Sequence, residues 1–242
     1  MADVTVYHNP GCSKSRGALE ILRERGVDAD IIEYLTTPLD RETLERCIAL
    51  LPGSRDGEIK TLWPAMLKIA AVLKTKHTGT EFTVCAPDED KRAMLESMAS
   101  DSPLPLKYET NKLIDVCSRS DYAIVASGSA TLQVAAAGCP MTVMYQSNKW
   151  MWHLVGRWLI QLRHLSLVNI LAGKELVPEF MPYFSSIEPI IERTHGLLRT
   201  PSRMSHISQS LTTLVKPLTQ LRASNAVAEI VCEMLSLKNT EL

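Results

Sequence analysis

Short runs rich in β-branched residues alternate with amphipathic stretches along most of this chain. Residues 4–8 (Val-Thr-Val-Tyr-His) have strand composition, and Asn9-Pro10-Gly11 break the pattern before helical spacing over 13–25. Ala18, Leu19, Ile21 and Leu22 supply the apolar face of that helix, and Gly26 is a fitting stop. Residues 31–35 read as a second strand, and Thr37-Pro38 leads into a short helix over 41–46. So short a β-α-β-α segment cannot cover both faces of a two-stranded sheet.

From residue 48 the alternation becomes regular. Strand 48–51 ends in Pro52-Gly53-Ser54-Arg55 and is followed by a helical pattern over 58–76, where Pro64 predicts a bend. Strand 82–85 precedes a helix over 89–98, whose first turn is a solvated run of acids, Asp88, Glu89 and Asp90. A short strand near 106–108 and a helix over 111–117 come next. Strand 122–126, helix 130–137 and strand 141–145 close the series. Strands and helices alternating at this spacing predict an α/β fold with a parallel sheet covered on both faces. Beyond residue 149 the pattern is helical, apart from a loop over 168–178. The resemblances described below divide the chain into residues 1–46 and 47–242.

Composition narrows the function classes. The chain has 242 residues, 45% of them hydrophobic and 22% charged, which excludes disordered and collagen-like readings. Twenty-six basic residues against 27 acids give a net charge of −1, so nucleic acid is not the expected partner. The six cysteines lie far apart and the six histidines form no HExxH or carboxylate cluster, so no metal site is expected. Without an apolar leader or an apolar run of about 18 residues, the expected location is cytoplasmic.

Two strand-to-helix turns carry the strongest chemical signal: Leu51-Pro-Gly-Ser-Arg-Asp-Gly-Glu58 and Ala126-Ser-Gly-Ser-Ala-Thr-Leu-Gln133. At the carboxyl ends of parallel strands, small residues let backbone N–H groups approach a phosphate. Ser127, Ser129 and Thr131 add hydroxyls, and Arg55 adds a charged bidentate fork. Together they suit a diphosphate, although glycine and serine also serve turn geometry and capping. A third stretch places Asn169 among aliphatic residues ahead of Ala172-Gly173-Lys174-Glu175. It fits a ligand contact and a helix cap equally well.

These three stretches, with Glu58 and Glu175-Leu176-Val177-Pro178-Glu179, resemble in order and spacing the C-terminal half of the lipid-A-disaccharide synthase family, over about residues 47–240. The resemblance implies a GT-B glycosyltransferase whose Rossmann-like C-terminal domain binds UDP-2,3-diacylglucosamine and transfers the sugar to lipid X. The UDP-sugar is a substrate, and neither metal nor other cofactor is implied. Donor contacts would come from Gly53, Ser54, Arg55, Glu58, Ser127, Gly128, Ser129, Thr131, Asn169, Lys174 and Glu175, with Gln133 at the ribose. Gln133 stands where the family usually has Glu, and Lys174 where it has Arg. The family's N-terminal half, which supplies the acceptor site and general base, has no counterpart here. A separate acceptor-domain chain is therefore an expected partner.

Residues 1–46 resemble a different family. Tyr7-His8-Asn9-Pro10-Gly11-Cys12-Ser13-Lys14-Ser15-Arg16 and Glu33-Tyr34-Leu35-Thr36-Thr37-Pro38 are similar to the start of the arsenate reductases, which implies part of a thioredoxin-like fold with Cys12 as nucleophile. A place just before a helix, beside Lys14 and Arg16, favours a thiolate. Finally, Trp150, Trp152, Arg157 and Trp158 mix aromatic and basic residues on an apolar stretch, which suits a peripheral site on the inner membrane as well as it suits a core helix. Three functions follow as expectations: the glycosyltransferase, a thiol oxidoreductase using Cys12, and a non-catalytic UDP-binding domain.

Overall fold

The computed structural model describes residues 4–8, 13–33, 46–147 and 163–220. Cys12 and the tryptophan-rich stretch with Trp150, Trp152, Arg157 and Trp158 lie outside the described residues. The chain divides into two units, Met1–Leu44 and Glu45–Leu242.

In the first unit, β1 (Val4–His8) and β2 (Ala29–Glu33) pair in parallel, joined through α1 (Ser13–Glu24). Leu19 is its buried apolar side chain, and Gly26, at φ 66, ends the helix. Nδ1 of His8 lies 2.9 Å from the Ser15 hydroxyl.

The second unit is built on a six-stranded, wholly parallel sheet. Its elements in chain order are β3 (Arg46–Leu51), α2 (Asp56–Lys76), β4 (Thr80–Ala86), α3 (Glu89–Met98), β5 (Leu106–Thr110), α4 (Leu113–Ser118), β6 (Tyr122–Ala126), α5 (Ala130–Ala136), β7 (Met141–Met144), α6 (Leu167–Ala172), β8 (Glu179–Phe180), α7 (Glu188–Leu198) and α8 (Pro201–Gln220). The strand order β5-β4-β3-β6-β7-β8 shows the chain moving outward from β3 through β4 to β5. It then returns to the other edge of β3 with β6. This α/β, Rossmann-like sheet is the fold class that the alternation predicts.

Burial explains the strand sequences. All five β6 residues and five of the six in β3 are buried, so these central strands read as continuous apolar runs. On α2, Ile59, Leu62, Trp63, Met66, Ile69, Ala70 and Leu73 recur at helical spacing and face the core. The expected bend at Pro64 does not interrupt that helix, which is assigned without a break from Asp56 to Lys76. Two further expectations are corrected. Arg46 opens a strand instead of closing a helix, because β4 and β6 hold β3 from both sides. The expected loop over 168–178 contains α6, which is capped by Ser166 and stopped by Gly173 at φ 63. The two-residue β8 follows it. No described helix is long and apolar enough to cross a membrane.

Several buried polar side chains of the unit are linked in chains. The Tyr122 hydroxyl lies 2.8 Å from Thr142 Oγ1, which lies 3.1 Å from Thr194 Oγ1, tying β6 and β7 to α7. At the amino end of the sheet Arg46 donates to His77 Nδ1 at 2.6 Å, and His77 Nε2 lies 2.9 Å from Nδ1 of His195. An acceptor role at Nδ1 leaves His77 neutral, with its proton on Nε2. Burial, then the charges of Arg46 and His195, push His77 down to about 4.

A histidine that titrates lower folded than unfolded binds fewer protons in the native state. Its contribution is neutral above about pH 6.5 and becomes destabilising as pH falls from there towards 4. Denaturant midpoints measured between pH 7.5 and 4.5 should therefore fall less steeply for His77→Gln than for the parent chain. Parallel profiles would contradict this.

Candidate functional site

The carboxyl end of the sheet holds a cleft of about 320 Å3, large enough for a small nucleotide-sized ligand. It opens where the chain leaves β3 and β6, the two neighbouring strands whose connections run in opposite directions.

On the β3 side the backbone turns at Gly53, with φ 106. That φ is one L side chains rarely adopt, and a Cβ there would also crowd Glu58 Oε2 at 2.9 Å, so the turn calls for glycine. Arg55, extended at φ −97 and ψ 140, precedes α2 and places no side-chain cap on it. As at any helix start, the first N–H groups of α2 have no intrahelical partner, and no side chain caps them. Arg55 Nη1 lies 2.9 Å from Glu58 Oε1, but the arginine side chain is 81% exposed. With its cation in solvent the pair is screened, although the Glu58 carboxylate is mostly buried, and the guanidinium can turn to an anion. Asp56, the other acid of this turn, pairs with Lys91 at 2.9 Å, and that ammonium holds its carboxyl below the usual carboxylate range.

On the β6 side the Ser127 N–H donates to the Met144 carbonyl at 2.8 Å, fixing the turn against β7. Ser127 is half-buried, whereas Gly128 and Ser129 are exposed. The remaining wall comes from the ends of β4 and β5, where Cys85, Ala86, Pro87, Asn111 and Leu113 line the cleft. Burial and the neighbouring Cys117 push the Cys85 thiol up to about 11, so it is neutral at pH 7.

The cleft thus gathers Gly53, Ser54, Arg55, Glu58, Ser127, Gly128, Ser129 and Gln133 from the expected set. The other four expected residues are not among its lining. The Thr131 hydroxyl donates to the Gly128 carbonyl at 2.7 Å, bracing the turn from within. Asn169 is fully buried and saturated: its Nδ2 donates to the Val177 carbonyl and to Glu179 Oε2, both at 2.9 Å. Its Oδ1 accepts from the Leu176 and Val177 N–H groups at 2.8 and 3.0 Å. Asn169 caps no helix: it lies inside α6, whose own cap is Ser166, and the next helix, α7, starts from Ile187. Lys174 lines a separate, shallow depression with Ala172, Leu176 and His206, and Glu175 pairs with Arg193 at 2.8 Å. Glu179 is the anchor of this second network. Burial alone would raise its carboxyl, but hydrogen bonds from Ser166, Asn169 and the Leu165 N–H outweigh burial and hold it below the usual range.

Five lining residues went unnoticed in the sequence: Cys85, Ala86, Pro87, Asn111 and Leu113. Their signal was positional, since each lies at or just beyond the last residues of a parallel strand. Among the described residues no cluster of ligating side chains could hold a metal ion.

The profile of the lipid-A-disaccharide synthetase family matches residues 29–234. The chain is 35% identical over 209 residues to the lipid-A-disaccharide synthase of Syntrophus aciditrophicus (strain SB), covering 80% of this chain and 54% of that protein. It is 36% identical over 165 residues to the one from Anaeromyxobacter sp. (strain K), covering 68% and 42%. The chain spans about half the length of the curated relatives it matches. Among solved structures, the C-terminal CMP-Kdo binding domain of WaaA from Acinetobacter baumannii aligns with a TM-score of 0.50 at 7% identity, over 75% of this chain and 93% of that one. That likeness concerns the fold alone. The family match takes in β2, inside the segment expected to resemble arsenate reductases, and these comparisons give that resemblance no support.

Replacing Asn169 by alanine leaves two backbone N–H groups and a carbonyl of the 173–178 loop without partners. Denaturant unfolding should show a loss of about 2–4 kcal/mol. Unchanged stability would contradict the structural role given to this amide.

Proposed function

The chain belongs to the lipid-A-disaccharide synthetase family, and we propose that its Glu45–Leu242 unit binds the UDP-2,3-diacylglucosamine donor of a glycosyl transfer to lipid X in lipid A biosynthesis. The observation that carries this reading is the convergence of the Gly53-Ser54-Arg55 and Ser127-Gly128-Ser129 turns on one cleft at the strand-order reversal.

A diphosphate in that cleft meets complementary groups. The unpaired N–H groups at the start of α2 and the hydroxyls of Ser54, Ser127 and Ser129 donate hydrogen bonds to its oxygens, and Arg55 adds a full positive charge. Gln133, at the exposed rim of the cleft, reaches the ribose hydroxyls. In the transfer, the bond between the sugar's anomeric carbon and the diphosphate oxygen breaks, and negative charge grows on the departing UDP. Fixed donors aimed at that charge lower the barrier without having to reorganise. The acceptor and the base that deprotonates it come from a partner chain in this reading. The acylated substrates would bring the assembly to the inner face of the membrane as a peripheral protein. In this reading Asn169 and Glu175 serve the fold around the 173–178 loop, and Lys174 lies in a separate depression outside the donor cleft. The alternative centred on Cys12 gains nothing from the described residues, which do not include it.

Calorimetric titration of UDP into the purified chain tests this reading. Binding should be measurable, should weaken with added salt, and should fall about tenfold or more in Arg55→Ala. A parent chain that takes up no UDP, or a variant that binds it as well, would refute the assignment.

A further inference from the structure

The walls of the cleft differ in chemistry. The β3 and β6 turns present glycines, hydroxyls and Arg55, whereas the β4 and β5 ends present Cys85, Ala86, Pro87 and Leu113. With its thiol neutral, this second wall carries no charge at pH 7. Asn111 is the polar side chain set into it. Its φ of 54 makes it the one non-glycine residue with positive φ among those described. An L-residue is rarely held in the left-handed region, although asparagine tolerates it better than most. The Asn111 N–H donates to the Ala86 carbonyl at 2.9 Å, carrying the β4–β5 pairing one residue beyond the end of β5. This fixes the backbone while leaving the side chain exposed at the cleft. Among the described residues the amide has no hydrogen-bond partner. Thr110, just before it, has a buried hydroxyl that also lacks one.

We propose that Asn111 is a specificity-determining residue whose amide reads the hydrogen-bonding edge of the nucleotide's base, with the base lying along the Cys85-to-Leu113 wall. The inference rests on the donor reading of the same cleft. A carboxamide offers a donor and an acceptor side by side, which matches the N3–H and adjacent carbonyl of uracil. The apolar wall supports the ring face, and the diphosphate occupies the β3 and β6 half. A left-handed residue at a ligand-lining position is the kind of backbone outlier from which a binding role is inferred.

Calorimetry with UDP, N3-methyl-UDP and inorganic pyrophosphate tests the proposal on three chains: the parent, Asn111→Gly and Arg55→Ala. Glycine adopts φ 54 without strain, so the first variant removes the amide while keeping the backbone. Asn111→Gly should bind UDP about tenfold more weakly than the parent and pyrophosphate equally well. N3-methyl-UDP should bind the parent more weakly than UDP does, and the two should not differ on Asn111→Gly. Arg55→Ala should lose affinity for both UDP and pyrophosphate. If Asn111→Gly retains full UDP affinity while Arg55→Ala loses it, the role of Asn111 is overturned and the donor site stands. Equal losses of UDP and pyrophosphate in Asn111→Gly would also overturn it. A parent chain that binds neither ligand removes the donor site and this proposal together.

Discussion

Hydrogen bonding of β3 to β4 on one side and to β6 on the other is the constraint on which the rest of this molecule depends. Because the connections from those strands diverge, their carboxyl ends cannot be bridged by the same loop, and a crevice is left between two turns. A right-handed parallel crossover also puts a helix start beside each turn. Everything proposed for the site uses what that arrangement leaves available: the left-handed turn at Gly53, donors at the start of α2, hydroxyls from Ser127 and Ser129, and the exposed cation of Arg55.

The distribution of polar contacts separates architecture from site. Where the chain needs rigidity, side chains are saturated, as in the Tyr122-Thr142-Thr194 chain and the amide of Asn169 with its four bonds. At the cleft the pairings are weaker and exposed. Arg55 pairs with Glu58 from the solvent side, its own side chain exposed and the carboxylate mostly buried. A cation that stands in solvent exchanges its partner for an incoming anion at small cost.

Much of this was legible from residue order. Central strands such as 122–126 announce themselves as unbroken apolar runs, and Pro52-Gly53-Ser54-Arg55 and Ser127-Gly128-Ser129 stand out as a pair, since either alone reads equally as turn geometry and capping. Other features left no local trace. A two-residue strand such as β8 has no period to detect. Asn169 looked ambiguous because its partners are backbone groups of the 176–177 stretch, whose positions depend on a loop that sequence alone does not shape. Asn111 was invisible for a related reason, since its backbone conformation and its place at the cleft both arise from pairing with Ala86.

Amide chemical-shift mapping with UDP addresses the central claim most directly, because it reports where on the sheet the ligand sits. Shifts concentrated at Ser54, Arg55, Asn111 and Ser127–Ser129, with Leu176 and Val177 unmoved, are the pattern this account requires. Shifts centred on residues 173–177, with the two turns silent, would contradict it.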